Sequence, residues 1–177
     1  MIRVKYKHLL GRPFVYGSSD CYGLARDFYR DNWGLELTDY ARPDGWSDAG
    51  QNLLVDNFTK EGFKLVHDEP IHLMRPGDAL LVALRSAVPN HIGIYLGDSL
   101  VLHHYQGQLS NTHPFSGIFR NMVCAHVRHP LAVLPEEKSS VQLIDLIPAH
   151  KRAEILDAIN RSKTPSVQAD SERQDSP

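Results

Sequence analysis

Residues 91–96, His-Ile-Gly-Ile-Tyr-Leu, and residues 100–105, Leu-Val-Leu-His-His-Tyr, are two β-prone runs separated only by Gly97-Asp98-Ser99. So short a connection forces the runs to pair antiparallel, because parallel strands need a crossover of a dozen or more residues. Pairing about this turn sets His91 across from residues 103–105. Directly opposed side chains in such a pair have Cβ atoms about 5 Å apart. In any of these registers His91 comes beside His103 or His104.

The rest of the pattern places helices ahead of strands. Residues 6–10 form a short helix or strand that Gly11-Arg12-Pro13 breaks. From Cys21 the apolar positions Cys21, Leu24, Ala25, Phe28 and Tyr29 recur at helical spacing, with Asp20 placed to cap the start and Gly34 to end it. Leu53, Leu54 and Phe58 mark a second helix that finishes near Gly62, and residues 63–66 form a short strand. Arg75-Pro76-Gly77-Asp78 is a turn feeding residues 79–84, a run apolar on both faces and therefore a buried strand. Residues 121–129 supply another strand. Helices followed by antiparallel strands predict an α+β fold.

Composition bounds the remainder. A chain of 177 residues that is 42% apolar can form one core, read here as a domain over residues 1–130. A C-terminal extension over 131–160 carries a helix at 149–160, and residues 161–177 are polar enough to form a flexible tail. The formal charge of −2 gives no field that would draw nucleic acid. No run approaches the roughly 18 apolar residues of a membrane span. The basic N-terminus lacks the apolar stretch of a secretory signal, so synthesis in the cytoplasm is expected. The two cysteines, Cys21 and Cys124, are not expected to pair, and no Cys-x-x-Cys spacing is present. Cys124 reads as a core residue, and His113, His126 and His129 as surface or loop residues. No ligand spacing calls for a metal, and no cofactor is expected.

The chemistry concentrates at Gly17-Ser18-Ser19-Asp20-Cys21-Tyr22-Gly23-Leu24, where a glycine- and serine-rich turn delivers a cysteine to a helix start. Unpaired backbone N–H groups and the helix dipole there favour the thiolate, making Cys21 a candidate nucleophile that should alkylate faster than Cys124. His91 is the candidate base. A second polar ring on the neighbouring strand would orient it, as in a catalytic triad.

These blocks resemble the NlpC family of cell-wall cysteine peptidases. Gly11-Arg12-Pro13-Phe14-Val15-Tyr16-Gly17 followed by Asp20-Cys21-Tyr22-Gly23-Leu24 is similar to that family's Asp-Cys-Ser-Gly block. Arg75-Pro76-Gly77-Asp78-Ala79-Leu80 is similar to its Pro-Gly-Asp-Leu entry, and residues 91–97 to its His-Val-Gly-Ile-Tyr-Leu-Gly block. The three blocks stand in the family's order within residues 5–130. The resemblance implies a papain-like α+β fold with Cys21 as nucleophile, His91 as general base and acid, and His103, twelve positions on, as orienter. His104 would then be exposed or face substrate. The Cys21 backbone N–H would help bind the oxyanion. The implied reaction is cleavage of a peptidoglycan stem peptide through an acyl-enzyme, commonly between a D-glutamyl residue and a diamino acid.

The spacing from Tyr16 to Cys21 and the segment His103-His104-Tyr105-Gln106-Gly107-Gln108-Leu109-Ser110 resemble the tail-assembly branch of long-tailed phages. That branch implies a place at the virion tail tip among hub and tip proteins, with local wall opening during DNA entry. Two residues depart from the pattern. Tyr22 follows the nucleophile where the family has Ser, and Phe14 stands where it often has a Tyr whose hydroxyl supports the oxyanion site. Tyr16, Asp20 and Tyr22 therefore join Phe14 and His104 as candidate oxyanion or substrate residues. A docking protein that keeps the fold without needing catalysis, and an amidase or acyltransferase, remain the alternatives.

Overall fold

The computed structural model describes residues 3–66 and 74–134, together with His150, Lys151 and Ile155. The chain divides into two compact units, Met1–Pro135 and Glu136–Pro177. In the second unit the three described residues are helical. The rest of the helix expected at 149–160, and the tail expected at 161–177, lie outside the described residues.

The first unit begins with a single 3-10 turn, Lys7–Leu9, and helix α1, Cys21–Trp33. Asp20 caps α1 in the way its short carboxylate allows: one oxygen accepts from the Gly23 N–H at 2.8 Å and the other from the Gly17 N–H at 2.9 Å. The turn and the helix start are thus held by one side chain. Gly23 is needed here, because a methyl on its Cα would collide with the Ser18 carbonyl. Gly34 ends the helix at φ +67, a left-handed conformation that costs glycine little. The buried face of α1 carries Tyr22, Leu24, Ala25, Phe28 and Tyr29.

Helix α2, Leu53–Lys60, packs Leu54 and Phe58 into the same core. Strands β1 (Lys64–Leu65), β2 (Ala79–Val82), β3 (His91–Gly97), β4 (Leu100–His103), β5 (Asn111–Pro114) and β6 (Val123–Arg128) follow, with a short helix α3, Gly117–Asn121, before the last. They form one antiparallel sheet in the order β1-β6-β2-β3-β4-β5. The fold is α+β, as the order of sequence patterns implied. Neither β5 nor α3 was legible in the sequence: the strand Asn111–Pro114 has only polar residues and a proline, with no alternating apolar face to reveal it.

Alternation along the strands separates two apolar layers. Ala79, Leu81, Ile92, Ile94, Leu96 and Leu102 pack with α1 and α2. Leu80, Val82 and Val101 pack on the other side with Phe119. Strand β2 is buried at every position, which is why its sequence is continuously apolar. Gly93 lets the second layer close: a methyl on its Cα would lie 2.6 Å from Val101 and 2.7 Å from Phe119.

Two expectations about single residues need correction. Cys124 is exposed rather than in the core, because its position on β6 alternates with buried Val127 out of phase. His126 is not a loose surface residue. Its Nε2 lies 2.7 Å from Asp78 Oδ2, and Arg128 Nε lies 2.7 Å from the other oxygen of the same buried carboxylate. His129 lies just past β6 in the connecting loop, as expected, and is buried there against Phe63, with ring centroids 5.0 Å apart and its Nε2 3.1 Å from the Glu61 carbonyl.

Candidate active site

Cys21 and His91 line one cavity of about 210 Å³. Cys21 is the first residue of α1 and His91 the first of β3, so each is delivered by the start of a regular element. The Cys21 thiol meets the backbone N–H groups of Ile92 and Tyr22. Phe14, Tyr16 and Trp46 give the cavity aromatic walls, and Asn90 and Gln106 supply amides.

The resting electrostatics oppose a free thiolate. Burial, and then the adjacent Asp20 charge, push the Cys21 thiol up to about 12, against the weaker pull of the Ile92 N–H, Arg42 and the Tyr22 N–H. The helix start alone suggests a lowered value; the low-dielectric surroundings and Asp20 reverse that. Burial, with His103 and His104 nearby, pushes the His91 imidazole down to about 3. Thiol and imidazole are therefore both neutral at rest. No hydrogen bond joins Cys21 to His91 or His91 to His103 among the described residues. His91 Nε2 and both ring nitrogens of His103 are buried without a partner there.

The two neighbouring histidines of β4 and its exit part company. His103 pairs in register with Gly93 on β3, which puts it on the same sheet face as His91, two residues away. Their ring centroids are 5.6 Å apart with planes at 80°. His104 points to the other face, where its ring meets the edge of Phe14 at 5.1 Å and its Nε2 lies 3.2 Å from the Gln108 carbonyl. It lines the cavity but is buried, not exposed.

The other sequence candidates also have definite places. Asp20 lines the cavity and is buried in an ion pair with Arg42. Tyr16 is partly exposed at 44% on the rim, its hydroxyl 3.3 Å from the Pro43 carbonyl. Phe14 lines the wall through its ring. Tyr22 does not line the cavity: its ring is buried edge-on to Phe58 at 6.0 Å and its hydroxyl donates to the Thr38 carbonyl at 3.0 Å. A serine there would leave this part of the core empty.

The model of the NlpC/P60 family matches residues 11–128. The chain belongs to the NlpC/P60 family. Among its relatives, tail tip assembly protein K of Escherichia phage lambda is 40% identical over 122 residues, 69% of this chain and 59% of that protein. Tail tip assembly protein K of Escherichia phage N15 is 33% identical over 126 residues, 68% of this chain and 49% of that one. The chain thus spans about half the length of these relatives. Among solved structures, the NlpC/p60 domain of the peptidoglycan hydrolase SagA aligns with 68% of this chain and 90% of its own, at a TM-score of 0.46 and 17% identity. An NlpC/P60 family protein from Bacillus cereus aligns with 72% and 41%, at 0.48 and 16%.

Several residues of this family member's site were not visible in its sequence. Arg42 sits in a loop, 22 residues from Asp20, yet its Nε lies 2.7 Å from the Asp20 carboxylate. Nothing local marks such a pairing. Trp46, Asn90 and Gln106 likewise reach the cavity only through the fold. Tyr105 could have been found, because it follows His103 by two residues and alternation gives it the same face.

Proposed function

We propose that this protein is a cysteine endopeptidase acting on peptidoglycan stem peptides, working at the tail tip of a phage. The observation that carries the reading is the shared cavity of Cys21 and His91 in a chain of the NlpC/P60 family. In this reading His91 accepts the Cys21 proton as sulfur attacks the peptide carbonyl. The pair begins neutral and separates charge only during reaction, each new charge stabilising the other. His91 then returns the proton to the leaving amine, and water releases the acyl group from Cys21. His103 acts behind His91 as the orienter, and backbone N–H groups at the start of α1 receive the oxyanion. Phe14, Tyr16 and His104 shape the substrate cleft. Residues 1–130 are the peptidase domain in this organisation, with an extension at 131–160 and a tail at 161–177.

The likeness to the two tail tip assembly proteins supports a virion location among tail hub and tip partners, with wall opening as the benefit during DNA entry. The missing hydrogen bonds between Cys21, His91 and His103 favour a second reading, in which the domain docks within the tail tip and cleavage is dispensable.

Purified protein and a Cys21→Ala variant, incubated with peptidoglycan sacculi and followed by mass spectrometry of released muropeptides, test both. Cleavage by the parent and none by the variant is expected. No cleavage by either, with full rescue of tail assembly by Cys21→Ala, would replace the peptidase with the docking role.

A further inference from the structure

The two imidazoles of the site are buried at 3% and 2% exposure, yet His91 Nε2 and both His103 nitrogens have no hydrogen-bond partner among the described residues. A ring held by no hydrogen bond is free to turn about its last torsion, which is broad for imidazoles, unless neighbouring surfaces confine it. Productive proton transfer needs that orientation fixed. Something other than hydrogen bonding must fix it here.

Tyr105 has the required contacts. Its ring stacks on His91 with centroids 4.5 Å apart and planes at 23°. The same ring meets His103 at 4.2 Å and 61°. Among the described residues it is the one aromatic ring in contact with both imidazoles. Phe119, at 5.6 Å, and His113, at 4.5 Å, bound His103 on its remaining sides and do not reach His91.

Tyr105 is itself anchored. The Gln108 N–H donates to the Tyr105 carbonyl at 3.1 Å, closing the turn that follows it. Two residues beyond that turn, the Ser110 hydroxyl donates to the Leu9 carbonyl at 2.6 Å and accepts from the Arg12 N–H at 2.9 Å. The loop is thus tied to the N-terminal segment that leads into Phe14 and the Cys21 turn.

We propose that Tyr105 is a positioning residue of this site, whose ring face clamps His91 and His103 in one geometry where no hydrogen bond joins them. The clamp rests on the peptidase reading for its catalytic consequence, but not for its existence. It assigns the work to the ring and not to the phenol hydroxyl, so phenylalanine should serve and an aliphatic side chain should not.

The test uses the full chain with Tyr105→Phe and Tyr105→Leu. Histidine ring C–H resonances, assigned by comparison with His91→Gln, report the clamp through the ring-current shift that a stacked aromatic imposes on His91. Peptidoglycan cleavage, resolved into kcat and KM, reports its consequence. In Tyr105→Phe the His91 shift is retained and kcat stays within about twofold. In Tyr105→Leu the shift disappears and kcat falls about tenfold to a hundredfold with little change in KM, the size expected when reacting groups are misplaced by about an ångström. Tyr105→Phe folds with the fewest changes, and its losing the His91 shift or its kcat would overturn the proposal even if Tyr105→Leu failed to fold. Unchanged His91 resonances in a folded Tyr105→Leu would overturn it as well. Should the parent protein not cleave peptidoglycan, the peptidase reading fails, and the His91 resonances still decide the clamp.

Discussion

Arg42 Nε lies 2.7 Å from Asp20 Oδ2, so the residue that precedes the Cys21 thiol is locked to a loop 22 positions away. Both side chains are buried. The Asp20 carboxylate also caps α1 and holds Gly17, so a single side chain joins the turn, the helix and the cavity wall.

Removing one partner of a buried ion pair leaves an uncompensated charge, which typically costs about 3–5 kcal/mol. Arg42→Met should therefore destabilise the protein by about that much in urea denaturation. Asp20→Asn combined with Arg42→Met should cost clearly less than the sum of the two single changes, since the amide oxygen can still accept from the Gly23 N–H and no charge is stranded. Additive costs would show that the pair is not coupled.

The buried histidines make stability depend on pH in a defined direction. Burial first, and neighbouring imidazoles second, hold His91 at about 3 and His103 at about 4, against an ordinary value of 6.5. Below 6.5 the unfolded chain binds protons that the folded chain refuses, so stability is full above that value and falls as pH drops toward the folded values. Between pH 7 and pH 5 the loss should be on the order of 2 kcal/mol for each ring. Urea midpoints at the two pH values measure it, and His91→Gln should remove one ring's share, on the order of 2 kcal/mol, while the lowered His103, His104 and His129 keep the rest. A flat profile in the parent would contradict the burial of neutral imidazoles.

Thiol reactivity should follow the resting electrostatics and reverse the ranking that the helix start alone suggests. Cys21 is half-buried and held up to about 12, whereas Cys124 is exposed. At neutral pH iodoacetamide should modify Cys124 first, with the Cys21 rate rising steadily as pH increases. Peptide mapping of partly alkylated protein gives both rates. A Cys21 rate that exceeds that of Cys124 and stays level down to pH 5 would reveal a thiolate–imidazolium pair at rest.

Asp78 should govern behaviour in acid. Burial alone would raise its carboxyl, but hydrogen bonds from Arg128 and His126 and the Arg75 N–H outweigh it, and the net shift is below the ordinary 3.8. A depressed carboxyl contributes stability that is complete above the ordinary value and is lost as pH falls through the folded one. Asp78→Asn should lower stability at pH 7 by about 3–5 kcal/mol, by breaking the buried ion pair between this carboxylate and Arg128. It should also flatten the unfolding curve below pH 4. An unchanged acid transition would exclude this carboxylate as its source.

Local chemistry was legible wherever one element carried its own signal. The cap by Asp20, the stop at Gly34, the doubly apolar β2 and the hairpin of β3 and β4 each follow from short-range rules of capping, chirality and alternation. The same hairpin already brought His91 to the side of His103 or His104. Edge elements with no apolar face, such as β5, gave no such signal. Nor did the Arg42–Asp20 and Asp78–Arg128 pairs, whose partners lie far apart in the chain.

The sequence by itself determined the family, the order of helices and strands, and the residues that could react. The tertiary structure decided how those residues behave. It separated His103 from His104 by sheet face, turned Tyr22 into the core and exposed Cys124. It also set the Cys21 thiol and the His91 imidazole in surroundings that keep both neutral, and stacked Tyr105 against the histidines. The physical reason is that proton affinity and ring orientation depend on burial and on neighbours brought in from distant segments, and no local pattern of residues encodes those.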